Sequence, residues 1–169
     1  MSELEDFRRE KDQFYRDDPH SPLLARQRKT FSGLNYYPEN AALKLVVERE
    51  LFEEPELVEM QTSTGDTATY LRWARIAFEV EGQEEALTVY RDPGSGEMFL
   101  PFQDANAGGE TYGAGRYLEP EELPDGRLLV DFNYAYNPYC AYNEEWSCPI
   151  PLPENRLRVA VRAGEMAFG

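Results

Sequence analysis

The sequence predicts a mainly β protein of the α+β kind: two N-terminal helices followed by an antiparallel β-barrel or two-layer sandwich of seven or eight strands. Three observations carry this. Apolar residues recur at helical spacing only as far as Gly33, and from Leu43 onward the period drops to two. The turn signals "STGD" (63–66), "EGQ" (81–83), "DPGSG" (92–96) and "PDG" (124–126) separate later apolar runs at hairpin spacing. Each connection is too short for the crossover helix that parallel strands require.

Taken in order, Ser2 followed by Glu5 reads as a capping box, and Leu4, Phe7, Phe14 and Tyr15 share one helical face. That helix runs to about Asp17 and stops before Pro19. A second helix follows in "HSPLLARQRKTFSG", with Ser21 as N-cap, Pro22 in the first position and Gly33 at the end. Strands are expected in 43–51, 68–82, 85–92, 96–102, 126–133 and 155–164. The longest, "ATYLRWARIAFEVEG", keeps its parity only in part, and a bulge near Trp73 explains the lapse. No repeat or linker divides the chain. We expect one domain over 1–169, with the helical segment 1–33 packed on a β domain over 41–165.

Charge narrows the function classes. Acidic residues outnumber basic ones 32 to 17, for a net charge of −15. Phosphate backbones and anionic lipids both need clustered Lys and Arg. The densest basic patch is "RQRK" at 26–29, so neither nucleic acid nor membrane is expected as a partner. The excess acid suits solubility, including in a salty cytoplasm. There is no apolar run of about 18 residues to span a bilayer, and "MSELEDFRREKDQF" is too charged for a signal peptide. A cytoplasmic location with reduced thiols is the expectation.

Two inter-strand segments are too dense in special residues to be simple turns: Phe102–Pro120 and Asp131–Pro151. The first holds glycines 108, 109, 113 and 115, which imply positive φ or close backbone approach. Its "GAGRYL" lacks the third glycine of a dinucleotide fingerprint, and no GK[ST] occurs, so no cofactor is indicated. If both segments meet at one end of the β structure, Glu110, Tyr112 and Arg116 face Asp131, Asn133, Asn137, Tyr139, Cys140 and Tyr142. Such a mouth suits a small carboxylate-bearing or polar ligand, with Arg116 as a bidentate clamp. A purely structural arrangement, with Arg116 paired to Asp131 and the Asn side chains satisfying irregular backbone, uses the same residues. Other readings are a hydrolase or isomerase using Asp131 or Glu110 for acid/base work, and a protein-interaction module.

These stretches also carry a resemblance. "PHSPL" (19–23), "ETYGAGRYL" (110–118), "DFNYAYNPYCAY" (131–142) and "CPIPLPENRLRVAVRAGE" (148–165) look like the bacterial and archaeal family catalogued as domain of unknown function 1684. The resemblance covers nearly the whole chain. It implies that these segments, with His20, form a family signature, and it carries over no activity.

Cys140 and Cys148 lack the short-spaced pairs of a structural zinc site, and His20 is the single histidine. A Cys140–His20 dyad needs His20 to arrive from the helix–helix junction. A disulfide is conceivable over the short loop, but a reducing cytoplasm favours two buried thiols that fill space. No metal is expected.

Overall fold

The computed structural model describes residues 2–168; of the expected span 1–169, Met1 and Gly169 lie outside the described residues. Helix α1 spans Glu3–Asp17. Ser2 Oγ accepts the Glu5 N–H at 3.1 Å, and Glu3, Glu5 and Asp6 place negative charge against the positive end of the helix. Helix α2 is confined to Ala25–Lys29, shorter than its sequence signals suggest. The reason is Ser21: its hydroxyl donates to Tyr15 O and accepts from Leu23 N. It therefore closes the end of α1 rather than opening α2. Gly33 lies beyond α2 with φ of +129°, and the following Leu34 N–H donates to Asp12 Oδ1 on α1.

Eight strands follow: β1 (Lys44–Val47), β2 (Glu50–Gln61), β3 (Thr67–Val80), β4 (Gln83–Arg91), β5 (Met98–Phe102), β6 (Arg116–Leu118), β7 (Glu121–Glu122) and β8 (Leu128–Asp131). They form a five-stranded sheet in the order β2-β3-β4-β5-β6 and a three-stranded sheet in the order β1-β8-β7. Every ladder is antiparallel. The ladders do not close into a barrel. One apolar cluster draws on both sheets, with Val47, Leu128 and Val130 from the smaller and Ile76, Phe78, Leu87, Val89 and Leu100 from the larger.

The bulge expected near Trp73 is present. Arg72 pairs with Tyr90 and Ala74 with Val89, which leaves Trp73 as the extra residue. The expected strand over 43–51 is instead two: β1 pairs with β8, and from Glu50 the chain joins β3 in the other sheet. Strand β2 is mostly exposed and acidic, so it lacks an alternating apolar signal. Its Pro55 falls within the register shift between Leu51 and Glu56, where no ladder N–H is lost.

The expected C-terminal strand over 155–164 is not a strand, apart from isolated bridges. Its backbone pairs in part with the backbone of 103–105, where Gln103 N donates to Asn155 O, Leu157 N to Gln103 O and Ala105 N to Val159 O, and in part with side chains. Val161 N donates to Asp104 Oδ2, while the carbonyls of Val161, Ala163 and Glu165 accept from Arg116. Asn155 begins this strap, fully buried. Its amide accepts from Thr88 N at 2.8 Å and donates to Thr88 O and Pro101 O at 2.9 and 2.7 Å. This stands in for a ladder where β5 diverges from β4, since their pairing covers only Phe99 and Met98. No helix among the described residues is long and apolar enough to cross a membrane.

Candidate functional site

The two special segments do meet. Tyr117 and Tyr136 exchange backbone hydrogen bonds at 2.8 and 3.0 Å, and the Tyr112 hydroxyl lies 3.5 Å from Cys140 Sγ. Gly115 lets the first segment fold tightly against the end of β5 and Pro151. Its φ is +102°, and a Cβ there would sit 2.6 Å from Phe102 O. Of the four glycines in this segment, Gly108 also takes positive φ.

Arg116, however, points into the protein rather than into a mouth. It is 1% exposed. Nη1 donates to Ala163 O at 2.6 Å and Glu165 O at 3.0 Å. Nη2 donates to Val161 O at 2.9 Å and approaches Asp104 Oδ2 at 3.5 Å. The guanidinium also lies over the Phe102 ring, 5.2 Å from its centroid. Burial pulls its pKa below the ordinary guanidinium value, and the charge of Asp104 opposes that pull. Its charge partner is thus Asp104, not Asp131.

Glu165 is the second buried charge, at 1% exposed. Oε1 accepts from the Tyr142 hydroxyl, and Oε2 accepts from Lys11 Nζ. Burial and the Glu165 charge both push the Tyr142 hydroxyl up, so it remains a donor. Lys11 arrives from α1 because positions 7, 11, 14 and 15 fall on one helical face. Its ammonium sits 6.0, 5.7 and 5.1 Å from the ring centroids of Phe7, Tyr15 and Tyr136.

Around Lys11 runs an open groove of about 390 Å³, lined by Phe7, Glu10, Phe14, Tyr15, Tyr136 and Tyr139. An ammonium has three N–H donors, and Glu165 takes one of them. A neighbouring groove of similar size shares Phe7 and Tyr136 and adds Lys44, Glu119, Asp131 and Tyr134.

The remaining expected site residues fall in separate places. Glu110 Oε1 accepts from the Tyr37 hydroxyl and Asn106 Nδ2, and Glu110 lines a third hollow with Tyr36 and Phe168. Glu110 and Asp131 therefore line different hollows. Asp131 Oδ1 accepts the Asn133 N–H and its side-chain amide. Asn133 pairs both backbone groups of Asn40 and so fixes the entry to β1. Asn137 donates to Met166 O, and its Oδ1 is buried without a partner. Tyr139 lines the Lys11 groove, and Tyr142 packs edge-on against Tyr15 and Phe168. The Cys140 and Cys148 thiols are free and buried. The His20 side chain is 89% exposed and pairs with Asp18, not with Cys140. Among the described residues, no group of three or more His, Cys, Asp or Glu could hold a metal ion.

Lys11, Glu165 and Tyr136 did not stand out from the sequence. The signal for Lys11 was a lone cation within the apolar face of α1. For Glu165 it was a lone acid closing an apolar C-terminal run.

Compared with known proteins, no curated protein matches the chain. It is similar to an uncharacterised protein of Haloarcula marismortui whose structure was determined in solution by NMR. The identity is 37% and the TM-score 0.73, over 96% of this chain and 91% of that one. A family match extends over residues 29–166, which takes in the Tyr136, Tyr139 and Glu165 side of the groove and begins after α1. On that match the chain belongs to the family described as Protein of unknown function (DUF1684).

Proposed function

We propose that the protein binds a small, flat, mostly apolar molecule in the groove beside α1, with a carbonyl or carboxylate of that molecule accepting from Lys11 Nζ. The observation that carries this reading is Lys11 itself: a cation 14% exposed, tethered by a buried carboxylate and facing aromatic rings. A structural ion pair needs no open aromatic hollow beside it. The groove volume of about 390 Å³ lies within the range of small-molecule sites. Tyr15, Tyr136 and Tyr139 offer faces on which a planar ligand stacks. Glu165 balances the Lys11 charge, which favours a neutral carbonyl over a full anion against the net charge of −15. The cation of the site is then Lys11, while Arg116 serves the fold. Neither nucleic acid nor membrane enters this reading.

A thermal-shift screen tests it, with paired neutral and anionic aryl probes such as acetophenone and phenylacetate. Stabilisation of the wild type is expected, and the neutral member of each pair should do better. Phe7 is 40% exposed, so Phe7→Ala should cost less stability than a core truncation and should weaken a hit. Lys11→Gln should weaken it about tenfold or more, the scale of a charge-assisted hydrogen bond. A hit indifferent to both substitutions rules the groove out.

A further inference from the structure

Behind the Tyr139 wall of the groove, the 3₁₀ turn at Tyr139–Ala141 and the run into Pro149 bring two thiols together. The Cys140 N–H donates to Cys148 Sγ at 3.3 Å, which sets the two cysteines against each other. The Tyr112 hydroxyl lies 3.5 Å from Cys140 Sγ. Ser63 lies beside the pair, its hydroxyl donating to Trp146 O at 3.0 Å. Its own position is fixed by Ser63 N donating to Cys148 O at 3.0 Å and Cys148 N donating to Ser63 Oγ at 3.1 Å. The Cys140 N–H and the Tyr112 phenol therefore converge on the pair, one at each sulfur.

That convergence makes the two thiols unequal. The neighbouring Cys148 side chain, with help from the Tyr112 hydroxyl, pulls the Cys140 thiol below its ordinary value against the effect of burial. The same contact and burial push Cys148 up. The two directions favour the anion on Cys140 and the proton on Cys148. This is the division of labour between an attacking and a resolving cysteine. The residues are 6% and 8% exposed, so the oxidant must be small.

We propose that Cys140 and Cys148 are a peroxide-responsive pair, in which Cys140 Sγ is oxidised first and Cys148 Sγ then closes an intramolecular disulfide. The Cys140 thiolate attacks one oxygen of hydrogen peroxide. The O–O bond breaks, an S–O bond forms, and the other oxygen leaves as hydroxide, which takes a proton to become water. The Cys148 sulfur then attacks the sulfenic sulfur. The S–S bond forms as the S–O bond breaks, and the hydroxyl leaves with the Cys148 proton as a second water. Two thiols and one peroxide give one disulfide and two waters, with two electrons passing from sulfur to oxygen. This inference stands independently of the groove.

The test uses the full chain, reduced and then freed of reductant. It is titrated with hydrogen peroxide, denatured, alkylated and weighed intact. The expected result is a loss of about 2 Da with no alkylated thiol, reversed by a dithiol reductant. Peptide mapping should join Cys140 to Cys148 within one chain. Cys148→Ser should instead accumulate Cys140 with about 16 or 32 Da added, and Cys140→Ser should keep Cys148 reduced at the same dose. The wild-type rate should hold at about pH 7 and fall on further acidification, as the thiolate is protonated. Three outcomes overturn the proposal: both thiols surviving a dose that oxidises free cysteine, sulfinic acid at Cys140 without a bridge, or a bridge between chains. The wild-type masses decide the matter even if a variant fails to fold.

Discussion

At the residue scale, one buried cation holds the C-terminal strap. Arg116 ties three carbonyls of the C-terminal strap and Asp104 to β6. Arg116→Met strands Asp104, at 6% exposed, and frees three carbonyls. We expect a loss of about 3–5 kcal/mol, measurable by urea unfolding. Arg116→Lys should recover only a fraction of that, because one ammonium cannot reproduce a planar fork. Gly164 is a second sensitive point. Its φ is +79°, and a Cβ would sit 2.7 Å from Ala135 O and 2.8 Å from Phe132 O. Gly164→Ala should destabilise by more than the roughly 1 kcal/mol of an ordinary glycine replacement, because both blocking atoms are backbone. Arg116 was visible in the sequence as the cation between two peculiar segments. Its partners were not, because they are backbone carbonyls some 45 residues away, and a carbonyl leaves no mark on residue type.

At the element scale, helix α1 was legible because its cap and its apolar face are local properties: Ser2, Glu5, Leu4, Phe7 and Tyr15 all lie within four turns of one another. Replacing Ser2 by Ala should cost about 1 kcal/mol, read as a lower midpoint in thermal unfolding. The bulge at Trp73 was legible for the same reason, since a lapse in parity is written along one strand. The C-terminal strap was not. "NRLRVAVRAG" alternates as a strand does, yet Arg116, Asp104 and Gln103 supply partners that an adjacent strand would otherwise provide. Asn155→Ala tests this substitution of side chain for ladder. It would leave Thr88 N, Thr88 O and Pro101 O unpaired in a site with no exposure. At about 1–3 kcal/mol per buried orphan group, the variant should be among the least stable single replacements. Faster amide exchange along β4 would report the cause.

At the scale of the whole molecule, the antiparallel sheets followed from turn spacing, and the split into two separate sheets did not. The split depends on β1 leaving the β2 line to pair with β8, a contact between residues more than eighty positions apart. The site shows the same limit. The segments 110–118 and 131–142 do adjoin, which the sequence left as a condition, but the hollow lies along α1, whose contribution depends on docking. The net charge of −15 gives the molecule a repulsion of its own. Raising salt from about 0.05 to about 0.5 M should screen it and lift the unfolding midpoint. A midpoint that falls would locate the dominant electrostatics in attractive pairs such as Lys11–Glu165.

The most direct test of the groove is a titration of isotope-labelled protein with acetophenone, followed residue by residue in nitrogen–proton correlation spectra. The expected result is saturable shifts centred on Phe7, Lys11, Phe14, Tyr15, Tyr136 and Tyr139, with saturation moved to about tenfold or more higher probe concentration in Lys11→Gln. Shifts centred elsewhere, or a spectrum unchanged by the neutral probe and by phenylacetate alike, would contradict the assignment of this groove as a binding site.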